Sequence, residues 1–377
     1  MKFMRLLLVM LFCGSSVYSQ QRVADYGIRI GVLPAGKWNA ITDVPGVQIG
    51  HTTLVSTDNI RTGVTAILPH GENIFQMKVP AAIYAGNGFG KLAGYTQVRE
   101  LGNIETPIVL TNTLSVPIAV RALIGYTLGL EGNENVRSVN AVVGETNDGY
   151  LNDIRGNHVT EEDVLNAIAS ATGGPVTEGS VGAGTGTICF GYKGGIGTAS
   201  RKLPESLGGY TIGVLVQTNF GGVLEIAGVP VAREMDNYPF RNAIQKSDGS
   251  CMIVVATDAP LSPRNLERLA KRAVFGIAKT GGIASNGSGD YVIAFSTDQA
   301  SRIAYNSEQL LHEKAELRND AMTPLFLGVI EATEEAILNS LFAGETMEGR
   351  NGHTIEGLPV PEILTLMKNY RVNIRDE

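Results

Sequence analysis

Along the chain, short and nearly continuous apolar runs alternate with glycine-rich polar breaks. The runs IRIGVL (28–33), TGVTAIL (62–68), VNAVVGE (139–145), YTIGVLVQT (210–218), CMIVVAT (251–257) and YVIAFST (291–297) have strand length. Several are apolar at almost every position, not at every second one, which predicts strands in sheets covered on both faces. The covering layers are visible as helical periodicity. In LSPRNLERLAKRAVFGIAKTGG (261–282), Leu266, Leu269, Ala270, Ala273, Val274 and Ile277 form one stripe; Ser262 is a natural N-cap, Pro263 a natural first residue, and Gly281-Gly282 a stop. VTEEDVLNAIASATGGP (159–175) opens on a capping box from Thr160 and Asp163 and closes at Gly173 and Pro175. TPLFLGVIEATEEAILNSLF (323–342) starts with Pro324 and carries Leu327, Ile330, Ile337, Leu338 and Leu341. Helices over doubly covered sheets imply a layered α/β sandwich. No repeat, low-complexity tract or linker interrupts it, so residues 20–377 are expected to form one domain.

Composition narrows the partners. Of 377 residues, 44% are hydrophobic and 18% charged, ordinary for a globular protein. The net charge of −7, with no Lys/Arg-rich block, argues against nucleic acid or an anionic membrane as a partner. MKFMRLLLVMLFCGSSVYSQ reads as a secretory leader over 1–19: two basic residues, an apolar run from Leu6 to Phe12, and Val17 and Ser19 at −3 and −1 of a cut before Gln20. That run is far shorter than the roughly 20 residues of a spanning helix. Cys13 follows bulky Phe12, unlike a lipoprotein leader, so a soluble exported, periplasmic protein is expected. The mature chain keeps only Cys189 and Cys251, too few for a disulfide framework. A single bridge is conceivable in an oxidising compartment, but Cys251 in its apolar strand reads better as a buried free thiol.

The usual catalytic motifs are missing. His51, His70, His158, His312 and His353 are scattered without HExxH or a Cys/His zinc pattern. There is no G-x-S-x-G elbow. Gly182, Gly184 and Gly186 imitate a dinucleotide fingerprint, but an apolar strand-like Thr-Ile-Cys-Phe follows where a helix is required, so a glycine-rich strand pair is expected and no cofactor. His51, in GHTT, reads as a hydrogen-bonded structural histidine.

One junction offers chemistry without histidine. QKSDGSCMIVVATDAPLSP (245–263) passes from a polar turn straight into an apolar strand at Ser250. Read locally, Asp-Gly-Ser is a turn signal. Alternatively, the Ser250 hydroxyl attacks the carbonyl of Gly249, an ester replaces the peptide bond, and water releases a new N-terminus. Glycine, without Cβ, tolerates the backbone geometry this needs. The freed serine would carry its own base, because an α-amine has a pKa of about 7.7 to 8.0. Ser250 and Cys251, as strand neighbours, point to opposite faces and cannot share a site.

The motifs DVPGVQIGHTTL, AGNGFGK, PIVLTNT, VVGETNDGYLNDI, VLVQTNFGG, GSCMIVVATDAPLSPRNLERLAKRA, SNGSGDYVIAFST and ATEEAILNSL, in this order, make the chain resemble the L-aminopeptidase/D-esterase (DmpA-like) peptidases, which include the β-peptidyl aminopeptidases. The resemblance implies a four-layer αββα sandwich like that of N-terminal-nucleophile hydrolases with different connectivity. It implies self-cleavage between Gly249 and Ser250 into chains 20–249 and 250–377, of about 24 and 14 kDa, which stay associated in a higher oligomer. It casts Ser250 as nucleophile, Ser288 and Asp290 as the pair that orients it, Asn219 as oxyanion donor, Glu145 as the carboxylate for the substrate's ammonium, and Tyr150 as a tyrosine near the site. The β-peptidyl branch has Glu where this chain has Asp290, and the Gly-Ser junction is a feature of the D-aminopeptidase branch. The implied substrates are short peptides, amides or esters with β-amino, D- or L-residues at the amino end. Two other readings compete: an ornithine acetyltransferase-like acyl transferase, disfavoured because those carry Thr at the nucleophile position, and a non-catalytic periplasmic binding protein.

Overall fold

The computed structural model describes residues 21–56, 59–239 and 249–372; the leader expected over 1–19 and its cut before Gln20 lie outside them. In chain order the main elements are β1 (Gln48–Ser56), β2 (Ile60–Leu68), β3 (Met77–Gly88), the short β4 (Leu92–Ala93), β5 (Ile108–Asn112), α1 (Val116–Leu128), β6 (Val142–Thr146), α2 (Glu161–Ala169), β7 (Ile196–Lys202), β8 (Thr211–Asn219), β9 (Ser250–Thr257), α3 (Pro263–Lys279), β10 (Gly289–Ser296) and α4 (Thr323–Phe342). The first sheet runs β1-β2-β5-β6-β4, and the second runs β7-β8-β9-β10-β3 with Ile303–Ala304 beyond β3.

Three hydrophobic layers bind these parts. Val64, Val109 and Val143 pack on Ala119, Leu123, Val164 and Ile168 of α1 and α2. Ile67, Leu110 and Val142 face Leu215, Met252, Val254, Ile293 and Phe295 between the sheets. Val216, Ile253, Val255 and Val292 meet Leu266, Leu269, Ala273, Val329 and Ile337 of α3 and α4. The order is helices, sheet, sheet, helices: the αββα sandwich. At about 25 cal/mol per Å² of apolar surface, both faces of each sheet contribute to stability, which is why the strands are apolar throughout. The sheets close on each other at Gly144, where a Cβ would lie 3.0 Å from the Met252 sulfur.

Local signals set several boundaries. The Ser262 hydroxyl accepts the Asn265 N–H at the start of α3, and Thr160 and Asp163 form the capping box of α2, which ends at Ala169, earlier than Gly173. IRIGVL is not a strand. The Glu331 carboxylate accepts the N–H groups of Val32 and Leu33, and the Arg201 guanidinium donates to the Ile30 carbonyl, so side chains take the place of a strand neighbour. Arg201 is itself held by Glu331 at 3.0 Å and Glu335 at 2.6 Å, a buried ionic knot on α4 that apolar periodicity does not reveal. Leu327 of α4, expected in the stripe, faces outward. The expected glycine-rich strand pair is a short hairpin, Ile188–Cys189 with Tyr192–Lys193, turned by Phe190 and Gly191 with φ of 53° and 80°. Cys189 and Cys251 are free and buried; burial pushes the Cys189 thiol up to about 12. Among the described residues no helix is long and apolar enough to cross a membrane.

Candidate active site

Strand register assembles the site. β9 begins at Ser250, whose antiparallel partner on β8 is Asn219 and whose parallel partner on β10 is Gly289. Side chains alternate along β9: Met252, Val254 and Ala256 point between the sheets, and Cys251, Ile253 and Val255 point at the helices. Ser250 shares the inter-sheet face, and Asn219 does too, because Leu215 two turns of the pleat earlier on β8 lies there. Both border a cleft of about 770 Å³ at this end of the sandwich, together with Glu145, Tyr150 and Gly249.

Gly249 has a steric reason to be glycine. A Cβ there would fall 2.7 Å from the Cα of Phe220 and 2.9 Å from the Asn219 carbonyl oxygen. Its own carbonyl accepts the Gly289 N–H at 3.3 Å, so the carbonyl before Ser250 is oriented.

The Asn219 amide is fixed from one side. The Ile188 N–H donates to Oδ1 at 3.0 Å, so the Nδ2 donors are left for the cleft. Next to it, Phe190 and Phe220 make an edge-on aromatic pair with centroids 5.1 Å apart. Glu145, at the end of β6, is buried. Its carboxylate accepts the Lys91 N–H at 2.9 Å and the Thr113 hydroxyl, which fixes its orientation. Among the described residues bordering the cleft it is the one acid.

Ser288 and Asp290 bracket Gly289 and lie buried behind the cleft wall. The Ser288 hydroxyl donates to Asp290 Oδ1 at 2.8 Å, while Asp290 Oδ2 is buried with no hydrogen-bond partner among the described residues. Burial raises the Asp290 pKa to about 6, against the opposing pull of Ser288. Asp290 is the register partner of Cys251, so its carboxylate sits on the face opposite the Ser250 side chain, where the Cys251 backbone amide also opposes the rise in its pKa. The Asn87 amide donates to the carbonyls of Ser285 and Ser288 and holds this turn.

Tyr150 stands on the cleft rim, 49% exposed. His51 bonds Thr65 through Nδ1 at 2.9 Å, and burial lowers its pKa to about 4, a neutral structural histidine away from the cleft. Among the described residues no group of three His, Cys, Asp or Glu side chains could hold a metal. Sequence reasoning had no role for Thr113, Lys91, Asn87 or the Phe190–Phe220 pair, although the first three lie within PIVLTNT and AGNGFGK.

An αββα sandwich with a serine opening a central strand beside a buried carboxylate defines a hydrolase of the N-terminal-nucleophile architecture. A solved L-aminopeptidase D-Ala-esterase/amidase from Ochrobactrum anthropi, described as a variant of that fold, superposes with a TM-score of 0.86 at 35% identity, over 93% of this chain and 99% of that one. A beta-aminopeptidase from a Burkholderia species does so at 0.86 and 41% identity, over 94% and 100%. The curated beta-peptidyl aminopeptidase BapA of Sphingosinicella microcystinivorans is 40% identical over 98% of both chains. The family model of peptidase family S58 matches residues 39–355. The chain belongs to peptidase family S58, and it is a hydrolase, an aminopeptidase of that family.

Proposed function

We propose that the chain is a self-processing serine aminopeptidase that releases N-terminal residues, β-amino acid residues among them, from short peptides, amides or esters. The observation that carries this reading is the orphaned Oδ2 of Asp290 beside the start of β9. A buried carboxylate oxygen without a partner is costly. Cutting before Ser250 would create an ammonium group beside it, and the orphan would gain its counter-charge.

In the cut, the Ser250 hydroxyl adds to the Gly249 carbonyl, the C–N bond breaks as the nitrogen takes a proton, and water hydrolyses the ester. In turnover, the freed α-amine takes the hydroxyl proton as Oγ attacks the substrate carbonyl. Asn219 donates to the developing oxyanion. Glu145 binds the substrate's ammonium. The proton then passes from the α-amine to the leaving nitrogen, and water releases the acyl group by the same steps. Chains 20–249 and 250–377 would stay together, since β8, β9 and β10 interlock across the cut, in a higher oligomer exported to the periplasm.

A β-alanyl dipeptide and a D-alanyl amide separate the substrate branches. We expect kcat/KM on the β-alanyl substrate to exceed the other by tenfold or more, as the similarity to BapA suggests; the reverse ratio assigns the D-residue branch, and no turnover of either refutes the reading. Asp290→Asn gives a pH test. The catalytic amine must be neutral. A neighbouring carboxylate stabilises its charged form and raises its pKa, so removing that charge lowers it. The acid limb of the kcat/KM profile should therefore move to lower pH, and an unmoved limb would show that Asp290 does not face the amine.

A further inference from the structure

The cleft has a wall that the catalytic reading does not use. Met347–Glu348 and Thr354–Ile355 form a small antiparallel hairpin near the C-terminus, and its Ile355 borders the cleft. The hairpin grips the segment carrying Tyr150. His353 Nδ1–H donates to the Tyr150 carbonyl at 2.9 Å, the Arg350 N–H donates to the Leu151 carbonyl at 2.8 Å, and Arg61 Nε donates to the Glu348 carbonyl at 2.8 Å. Gly349 lies so close that a Cβ would come 2.2 Å from the Leu151 carbonyl oxygen.

The imidazole of His353 also lies flat on the Tyr150 ring, with centroids 4.4 Å apart and planes 18° from parallel. One face of Tyr150 is thus covered, and the rest of the half-exposed ring is left to the cleft it borders. Glu145 is tied to Lys91 and Thr113, not to the hairpin, so an amino group held there leaves the far part of a substrate to reach the Tyr150 wall.

We propose that His353 is a positioning residue that sets Tyr150 as a flat platform for the part of the substrate remote from its amino group, and that the cleft therefore favours leaving portions with a planar ring. The inference rests on the aminopeptidase reading of the site. Offset stacking between flat rings strengthens contact beyond simple area burial, and fixing the platform in advance removes an ordering cost. His353 comes from the region after the proposed cut and Tyr150 from the region before it, so the platform joins the two chains.

The test compares β-alanyl-p-nitroanilide with β-alanylglycine, which share an amino end and differ in a ring. For His353→Ala we expect KM on the anilide to rise roughly three- to tenfold with kcat within about twofold, and both constants on β-alanylglycine to stay within about twofold. His353→Phe, which keeps a flat ring, should restore KM on the anilide. Tyr150→Leu should raise the same KM, and adding His353→Ala to it should change nothing further. Equal effects on both substrates, no rescue by Phe, or additive effects in the double variant would overturn the platform. Should His353→Ala fail to fold, Tyr150→Leu decides: a KM change that does not distinguish the substrates overturns it. A wild-type protein that turns over neither of these substrates nor a D-alanyl amide refutes the aminopeptidase reading itself, whereas an active wild type with an unaffected His353→Ala variant removes only the platform.

Discussion

Ser250→Ala is expected to abolish both self-cleavage and turnover. On a denaturing gel the wild-type mature protein should give two bands of about 24 and 14 kDa, in proportion to the residues on each side of the junction, the smaller starting Ser-Cys-Met-Ile. The variant should give one band. In the proposed mechanism both effects follow from one oxygen, because the hydroxyl that attacks Gly249 is the one that later attacks substrate. Removing the nucleophile of a serine hydrolase lowers kcat by roughly 10⁶-fold, so activity should fall to background. The variant should still fold: Ala at a buried strand end disturbs neither the β8–β9–β10 register nor the packing of Met252 and Val254. An unchanged thermal unfolding midpoint, within a few degrees, would separate lost chemistry from lost structure. Two bands from Ser250→Ala would place the cut elsewhere and remove the proposed mechanism.

Asn219→Ala should give the second-largest loss. Its amide is held by the Ile188 N–H, so its donors are fixed before substrate arrives. A preorganised donor acts mainly on the transition state, where charge collects on the carbonyl oxygen. Losing one typically costs about 2.7–4 kcal/mol, or roughly 10²–10³ in kcat. KM should change little, which distinguishes this role from simple binding. Asn219→Asp keeps an acceptor for Ile188 but offers a carboxylate where a donor is needed, and should be at least as impaired. A KM effect with kcat intact would make Asn219 a binding residue instead. Self-cleavage should slow as well if Asn219 also steadies the Gly249 oxyanion, and gel time courses would show it.

Much of this was legible before the fold was known. Apolar runs free of polar positions require cover on both faces, and the cap residues Ser262, Thr160 and Asp163 mark where two of the covering helices begin, so the layered architecture followed from patterning. The same logic misread IRIGVL. Its backbone partners are the side chains of Glu331 and Arg201, about 300 and 170 residues away, and no local periodicity reports them. The helix α1 and strands β1, β3, β5 and β7 were missed because polar residues and glycines break up their apolar patterns.

The candidate site divides in the same way. Residue chemistry and motif order marked Ser250, Asn219, Glu145, Tyr150, Ser288 and Asp290, and the scarcity of useful histidines turned attention to a serine that supplies its own base. Alternation along a strand already separated Ser250 from Cys251. What sequence alone could not decide is which groups meet. Register placed Asn219 opposite Ser250 and Gly289 beside it; burial stranded one oxygen of Asp290; Thr113 and the Lys91 amide aimed Glu145; and the C-terminal hairpin laid His353 on Tyr150. Element type depends on neighbours a few residues apart, so it can be read along the chain, whereas a site depends on distances between strands whose pairing only the packed sandwich fixes.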